Sequence, residues 1–261
     1  MPLFLDIERR SPLHRLHPIA KLAGMLCMFA AAFVSQRPIA VLPVSALVVV
    51  LIGVARAFPN VRRLRLLFVL VFVMTFIVWT LFFRGGTPLF VWWRVAISWA
   101  GLQFALGMAL KLATFLGIGV VFLSTTKIEE FAWALTRLGM PYKLGFAMTL
   151  AFRLVPVFLD AGVTVVQAQR CRGFNFDEGN LIERMRRYVP VIVPVFISAL
   201  RRADGMAMAL EARGFQARRP RTTYEHYVFG AGDAFAVLCA LAVTAAYVML
   251  WSRGLTAVAV G

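Results

Sequence analysis

The sequence predicts an all-α integral membrane protein: about five transmembrane helices plus a cytosolic bundle of amphipathic helices. Three observations predict it. The chain is 61% hydrophobic with a mean hydropathy of +0.80, well above the roughly half-apolar composition of soluble domains. Its basic residues are segregated along the chain rather than spread through it. Two matched octets that share Ala and a closing Arg-Gly-Phe stand in its second half, Gln167-Ala168-Gln169-Arg170-Cys171-Arg172-Gly173-Phe174 and Met208-Ala209-Leu210-Glu211-Ala212-Arg213-Gly214-Phe215.

Apolar runs long enough to cross about 30 Å of hydrocarbon as helices occur at 19–35, 39–56, 64–83, 102–123 and 232–252. The run 88–101 carries Trp92, Trp93 and Trp99 around Arg94, which suits an interfacial segment better than a sixth span. Residues 1–18 hold Asp6, Glu8, Arg9, Arg10 and Arg15 without a continuous apolar stretch, so no cleavable signal peptide is expected. Cys27, Cys171 and Cys239 are odd in number and scattered, as packing residues are and a disulfide framework is not.

The formal charge of +16 gains meaning from its placement. Lys and Arg number twenty-three in segments 1–21, 56–65 and 124–229, against only Arg37, Arg84, Arg94 and Arg253 on the opposite side. The positive-inside rule then puts the N-terminus and residues 124–229 in the cytoplasm and the C-terminus outside. The expected partners are a bilayer and proteins, not nucleic acid. Three regions follow: spans in 1–123, a cytosolic helical region in 124–229, and a last span in 230–261.

Within 124–229, Thr126-Lys127-Ile128-Glu129 fits a capping box that starts a helix. Gly139 followed by Pro141 is the matching stop. Leu154, Phe158, Ala161, Val165 and Ala168 share one helix face, as do Leu200, Ala203, Ala207 and Leu210 in the second copy. Each stripe leads to an Arg-Gly-Phe stop, and upstream of each stop lies a matched apolar string with proline, Val155-Pro156-Val157-Phe158 and Val193-Pro194-Val195-Phe196. Arg172 and Arg213 should therefore sit on helix tips, with Gly173 and Gly214 ending the helices, because a cation is favoured at the carbonyl end of a helix. Residues 175–187 read as a polar turn and the charged start of another helix. The run 216–227, with Arg218, Arg219 and Arg221, reads as a basic link back to the membrane.

No phosphate-cradling glycine-rich loop with its Lys-Ser/Thr is present, so the chain should not bind ATP by that device. Cys-x-x-Cys and His-Glu-x-x-His patterns are absent too. His14 and His17 have a spacing that brings two imidazoles to one helix face, but prolines bracket them and no third ligand is evident, so no metal site is expected. Lys111 lies inside the 102–123 span, where a charge is costly. It either faces a polar partner in the bundle or snorkels from a span shifted in depth. An alternative function is a self-sufficient permease or channel with Lys111 on a polar path. A membrane enzyme binding a phosphorylated substrate through the cytosolic arginines lacks a base or nucleophile cluster.

At the two tips, Arg complementing a helix end and Gly capping it would explain one copy. Two matched copies fit two equivalent pockets on a partner of approximate two-fold symmetry, since the planar guanidinium pairs bidentately with carboxylates.

These residues resemble the transmembrane T component of energy-coupling factor transporters, the family that includes the Q subunit of cobalt and nickel importers. Its hallmark is two Ala-Arg-Gly motifs, in whose places stand Cys171-Arg172-Gly173 and Ala212-Arg213-Gly214. Ser11-Pro12-Leu13-His14-Arg15-Leu16-His17-Pro18 with Lys21 is similar to the N-terminal signature, although His17 stands where an aspartate is common. Thr125-Thr126, Ala134-Leu135, Leu138-Gly139-Met140-Pro141 and Phe152-Arg153-Leu154-Val155-Pro156 resemble the next blocks, and a basic residue at Lys111 is familiar there. The resemblance implies a non-catalytic scaffold of a bacterial inner-membrane ABC-type importer whose cytosolic helices act as coupling helices. Its implied partners are two ABC-type ATPase subunits, contacted by Cys171, Arg172, Gly173, Ala212, Arg213 and Gly214, and one substrate-binding membrane subunit. ATP would be bound by the partners and no cofactor by this chain. The cargo would be a vitamin or a transition-metal ion, cobalt or nickel.

Overall fold

The computed structural model describes residues 11–35, 38–83, 88–92, 95–176, 180–215 and 227–253. The basic link with Arg218, Arg219 and Arg221, the cations Arg9, Arg10, Arg37, Arg84 and Arg94, and the turn residues Asp177 to Gly179 lie outside the described residues. Helix dominates. The elements are a 3-10 turn Pro12–Arg15, then α1 (Pro18–Val34), α2 (Pro38–Val54), α3 (Phe58–Arg63), α4 (Arg65–Phe82), α5 (Trp99–Thr125), α6 (Ile128–Arg137), α7 (Tyr142–Cys171), α8 (Leu181–Arg187), α9 (Val189–Ala212) and α10 (Ala231–Ser252). Between α4 and α5 the chain forms one antiparallel hairpin, β1 (Pro88–Trp92) with β2 (Val95–Ser98), closed by the pair Trp92–Val95. The interfacial reading of 88–101 thus corresponds to a hairpin running into the start of α5, not to a span.

The chain divides into two compact units, Met1–Gly139 with Tyr227–Gly261, and Met140–His226. In the first unit α5 is the hub, packing on α4, α2 and α1, while α1 also packs along α10. The core holds Met28, Ala31, Ala32, Val44, Val48, Ile52, Ile118 and Tyr247. Val41, Val44, Val48 and Ile52 are the buried residues of α2, at the three- and four-residue steps that make one helix face. Small residues let the helices approach: a methyl group on Gly117 would lie 2.8 Å from Cγ1 of Val48, inside van der Waals contact. Two hydroxyls tie α10 to its neighbours, Tyr247 donating to the carbonyl of Ala40 and Thr244 to that of Cys27, both at 2.9 Å.

All five apolar runs appear as helices. By length and hydropathy α4, α5, α7 and α10 are sufficient to cross a membrane, whereas α1 and α2, with 17 residues each, are shorter apolar helices. The apolar length of α7 was not anticipated, because Lys143, Arg153, Asp160 and Arg170 punctuate it and make it read as amphipathic. Helix α7 runs unbroken through Pro156 and α9 through Pro194, so the prolines do not divide the segments they lie in.

Two local expectations need correction. No capping box forms at Thr126: it is the C-cap of α5, its amide bonded back to Phe122, and α6 starts at Ile128 with Lys127 as N-cap and no side-chain cap bond. The Thr126 hydroxyl is buried without a hydrogen-bond partner. In α9, Leu200, Ala203 and Ala207 are exposed, and only Leu210 of that stripe is half-buried. The less exposed row is Val191, Val195, Ala199, Met206 and Leu210, one helix row away, because the larger Met206 rather than Ala207 fills the packing position.

Candidate functional site

The two Arg-Gly-Phe stops form the same structure. After α7, the amide of Gly173 donates to the carbonyl of Arg170 at 2.9 Å and that of Phe174 to Gln169 at 3.0 Å. After α9, Gly214 donates to Glu211 at 2.8 Å and Phe215 to Leu210 at 2.9 Å. This is the paired closure that satisfies the last helix carbonyls when the residue after the cap turns left-handed. Gly173 and Gly214 supply that turn with φ of 81° and 70°, values a side chain would strain. Arg172 and Arg213 are the C-cap residues, with φ, ψ of −83°, 10° and −84°, 4°. Both are exposed, and among the described residues neither has an ion-pair partner. Cys171 and Ala212, the residues just before them, are exposed too.

The phenylalanines fasten the tips differently. Phe174 packs on Phe176, which is 1% exposed and itself rests on Tyr188, while Arg187 donates to the carbonyl of Asn175 at 2.8 Å. Phe215 packs instead on Phe146 and Tyr142 at the start of α7. Beside that tip runs a groove of about 380 Å³ lined by Phe146, Thr149, Leu150 and Arg153 of α7 and by Met206 and Arg213. Arg153 therefore shares a site with Arg213; its signal in the sequence was the Phe152-Arg153-Leu154 block, which pointed to the family without giving Arg153 a role.

The N-terminal signature residues do other work. Ser11 bonds Nδ1 of His14 at 2.6 Å, and Nε2 of His14 lies 3.1 Å from the carbonyl of Ser124. Since a carbonyl only accepts, Nε2 carries the proton. His17 caps α1, its Nδ1 accepting from the amide of Ile19 at 3.2 Å, and its ring sits edge-on to Trp133, Tyr227 and Phe229. An imidazole thus performs the acceptor role that a carboxylate serves at a helix start. The carboxylate itself comes from α10: Asp233, 6% exposed, receives the His17 amide at 2.6 Å and that of Gly230 at 2.8 Å. Lys21 donates to the carbonyl of Thr125 at 2.8 Å and to Glu130 at 2.7 Å, fastening α1 to the end of α5 and the start of α6. Both imidazoles are committed to protein groups, and among the described residues no three His, Cys, Asp or Glu converge as metal ligands.

Lys111 is buried, and its ammonium donates to the carbonyl of Phe33 and stands 4.8 Å from that ring's centroid. It caps the carbonyl end of α1, where a cation is favourable.

Bundled apolar helices and two matched, exposed helix tips define an integral membrane protein. A family model described as cobalt transport protein, CbiQ, matches residues 9–224. The chain is 33% identical over 242 residues to the energy-coupling factor transporter transmembrane protein EcfT of Clostridium kluyveri, covering 88% of each. It is 30% identical over 236 residues to that of Limosilactobacillus fermentum, covering 87% of this chain and 88% of the relative. With the protein of Lactococcus lactis subsp. cremoris it shares 28% identity over 253 residues, 93% of this chain and 94% of the relative. The chain belongs to the CbiQ/EcfT family, the T components of energy-coupling factor transporters.

Proposed function

We propose that the chain is the coupling scaffold of an ATP-driven importer, non-catalytic in itself, with Arg172 and Arg213 each entering a groove on one of two cytosolic ABC-type ATPases. The observation that carries this reading is the pair of matched tips: two exposed guanidiniums without ion pairs among the described residues, each held on a closed helix end. A rigid stem and an unengaged planar fork suit insertion into a carboxylate-lined pocket, because little order is lost when the contact forms.

ATP, bound by the partners, would drive their closing and opening, and the stems α7 and α9 would carry that movement to a third, substrate-binding membrane subunit. The outward row of α9 offers that subunit a surface: Ile192, Val193, Phe196, Ile197 and Leu200 are between 45% and 61% exposed, an apolar patch of the kind that marks contact with lipid or protein. The positive-inside distribution supports a cytoplasmic N-terminus and cytoplasmic tips in a bacterial inner membrane. The cargo is a vitamin or a transition-metal ion, the cobalt transport description of the family model favouring the metal. The capping position of Lys111 supports a structural role for it rather than a polar path through a permease.

The test is an Arg172→Ala/Arg213→Ala double variant in cells carrying the whole transporter. Membrane insertion should be retained, while ATPase co-purification and uptake fall at least about tenfold, a contact loss of about 1.4 kcal/mol or more. Uptake and co-purification at the level of the unmodified protein would refute the proposal.

A further inference from the structure

The turn after α2 closes with the same pair of bonds as the two tips. Ala57 donates to the carbonyl of Ile52 and Arg56 to that of Gly53, both at 3.0 Å. Here, however, the left-handed position that glycine fills at the tips is held by Arg56, with φ of 54°, the one non-glycine residue of positive φ among the described residues. Glycine would take this conformation freely and arginine does not. A strained residue of this kind marks a place where the side chain is needed for more than the turn.

What surrounds Arg56 shows what it serves. The inner side of α3 is fixed to the bundle: Ala57 and Asn60 are buried, and Asn60 donates to the hydroxyl of Ser124 in the last turn of α5 at 2.7 Å. The outer side turns Arg62 and Arg63 away, and Arg65 follows at the head of α4. All four arginines of this elbow are exposed, and among the described residues none has a carboxylate partner. Apolar side chains stand among them, Phe58 at 55% and Leu66 at 78% exposure. Depth is set by α4, whose 18 residues have a mean hydropathy of 2.4 with none of them buried inside the protein. At 1.5 Å per residue it extends ~27 Å, close to the hydrocarbon thickness, and a span of that length would place Arg65 at the membrane–water boundary and its neighbours at headgroup depth.

We infer that this elbow is a binding site for an anionic phospholipid, with the guanidiniums of Arg56, Arg62, Arg63 and Arg65 on the phosphate and Phe58 and Leu66 against the acyl chains. One molecule carrying both a phosphate and hydrocarbon satisfies both halves of the surface at the depth that α4 sets. Guanidinium forks pair with phosphate oxygens bidentately, and basic residues next to a span draw anionic lipid to the membrane surface. The inference does not depend on the role proposed for the tips.

Thermal unfolding of the purified chain in neutral detergent, with phosphatidylglycerol or phosphatidylcholine added, tests it. Phosphatidylglycerol should raise the midpoint by about 3 °C or more and phosphatidylcholine should not, as expected for a ligand bound only by the folded state. An Arg62→Gln/Arg63→Gln/Arg65→Gln variant should lose at least half of that shift. Arg56→Gly separates binding from folding: without lipid it should unfold at the same temperature or higher, because strain is relieved, yet gain less from phosphatidylglycerol. Equal lipid shifts in all variants would overturn the inference. So would an equal shift from inorganic phosphate alone, and so would arginine variants that keep the full lipid shift but lose co-purifying ATPase, which would assign the elbow to a protein partner.

Discussion

The polar cluster around His17 in the first unit and the arginine tips of the second use charge in opposite ways. In the first, polar groups turn inward and satisfy one another: Asp233 receives two backbone amides, Lys21 bridges a helix carbonyl and Glu130, and His14 and His17 are bonded at both ends of their segment. In the second, Arg172, Arg213 and Arg153 face outward, and few residues of that unit are buried at all. A buried polar group that loses its partner costs stability; an exposed one that is lost costs little to the chain and much to whatever it binds. Substitutions in that cluster should therefore show in unfolding, and those at the tips in assembly.

The largest effect on stability is expected at Lys21. Its ion pair with Glu130 leaves only 4% and 17% of the two side chains exposed, and Lys21→Met would strand a largely buried carboxylate and the Thr125 carbonyl. A loss of about 3 kcal/mol is expected, read as a lower unfolding midpoint in detergent. Adding Glu130→Gln should restore part of it, since the stranded charge is then gone; a double variant as damaged as the sum of the singles would show that the pair is not coupled.

These contrasts also explain what could be read in advance. The tips were legible because helix closure is local chemistry: Arg, Gly and Phe act on carbonyls within five residues. The apolar runs were legible for the same reason, since hydropathy is a property of consecutive residues. The polar cluster around His17 and Lys21 was not, because its bonds join positions far apart in the chain, His17 with Asp233 across 216 residues and Lys21 with Glu130 across 109. His14, His17 and Lys111 stand out in the sequence as residues out of place, yet their partners Ser124, Asp233 and Phe33 carry no signal of their own. At Thr126 the local pattern misled because the end of α5 claims that residue before α6 begins. In α9 hydrophobic spacing allowed two adjacent rows, and only packing selected between them.

A smaller effect is expected from the backbone of the tips. A Cβ on Gly173 would meet nothing within 4 Å, so Gly173→Ala isolates the strain of a left-handed residue from any steric overlap. It should cost about 1 kcal/mol, confined to the end of α7. Amide hydrogen exchange should quicken at Gly173 and Phe174, whose amides close the helix, and stay unchanged across α1, α5 and α10. Faster exchange throughout the first unit would mean that the units are not independent in stability.

The smallest effect on the chain itself belongs to the arginine side chains. Arg172→Lys and Arg213→Lys keep the positive charge at each helix end and remove the planar fork. Since both side chains are exposed and without ion pairs among the described residues, unfolding should shift by less than about 0.5 kcal/mol. If the tips act only by complementing the helix dipole, lysine is an adequate substitute and nothing further changes. If they enter pockets through bidentate contacts, ATPase co-purification should weaken at both sites although charge and stability are intact. The sites should then differ in degree: beside Arg213 the guanidinium of Arg153 lines the same groove and remains to hold part of the contact, whereas the groove offers no such neighbour to Arg172. Lysine at 172 is expected to be the more damaging of the two, and equal losses at both tips would remove Arg153 from the contact.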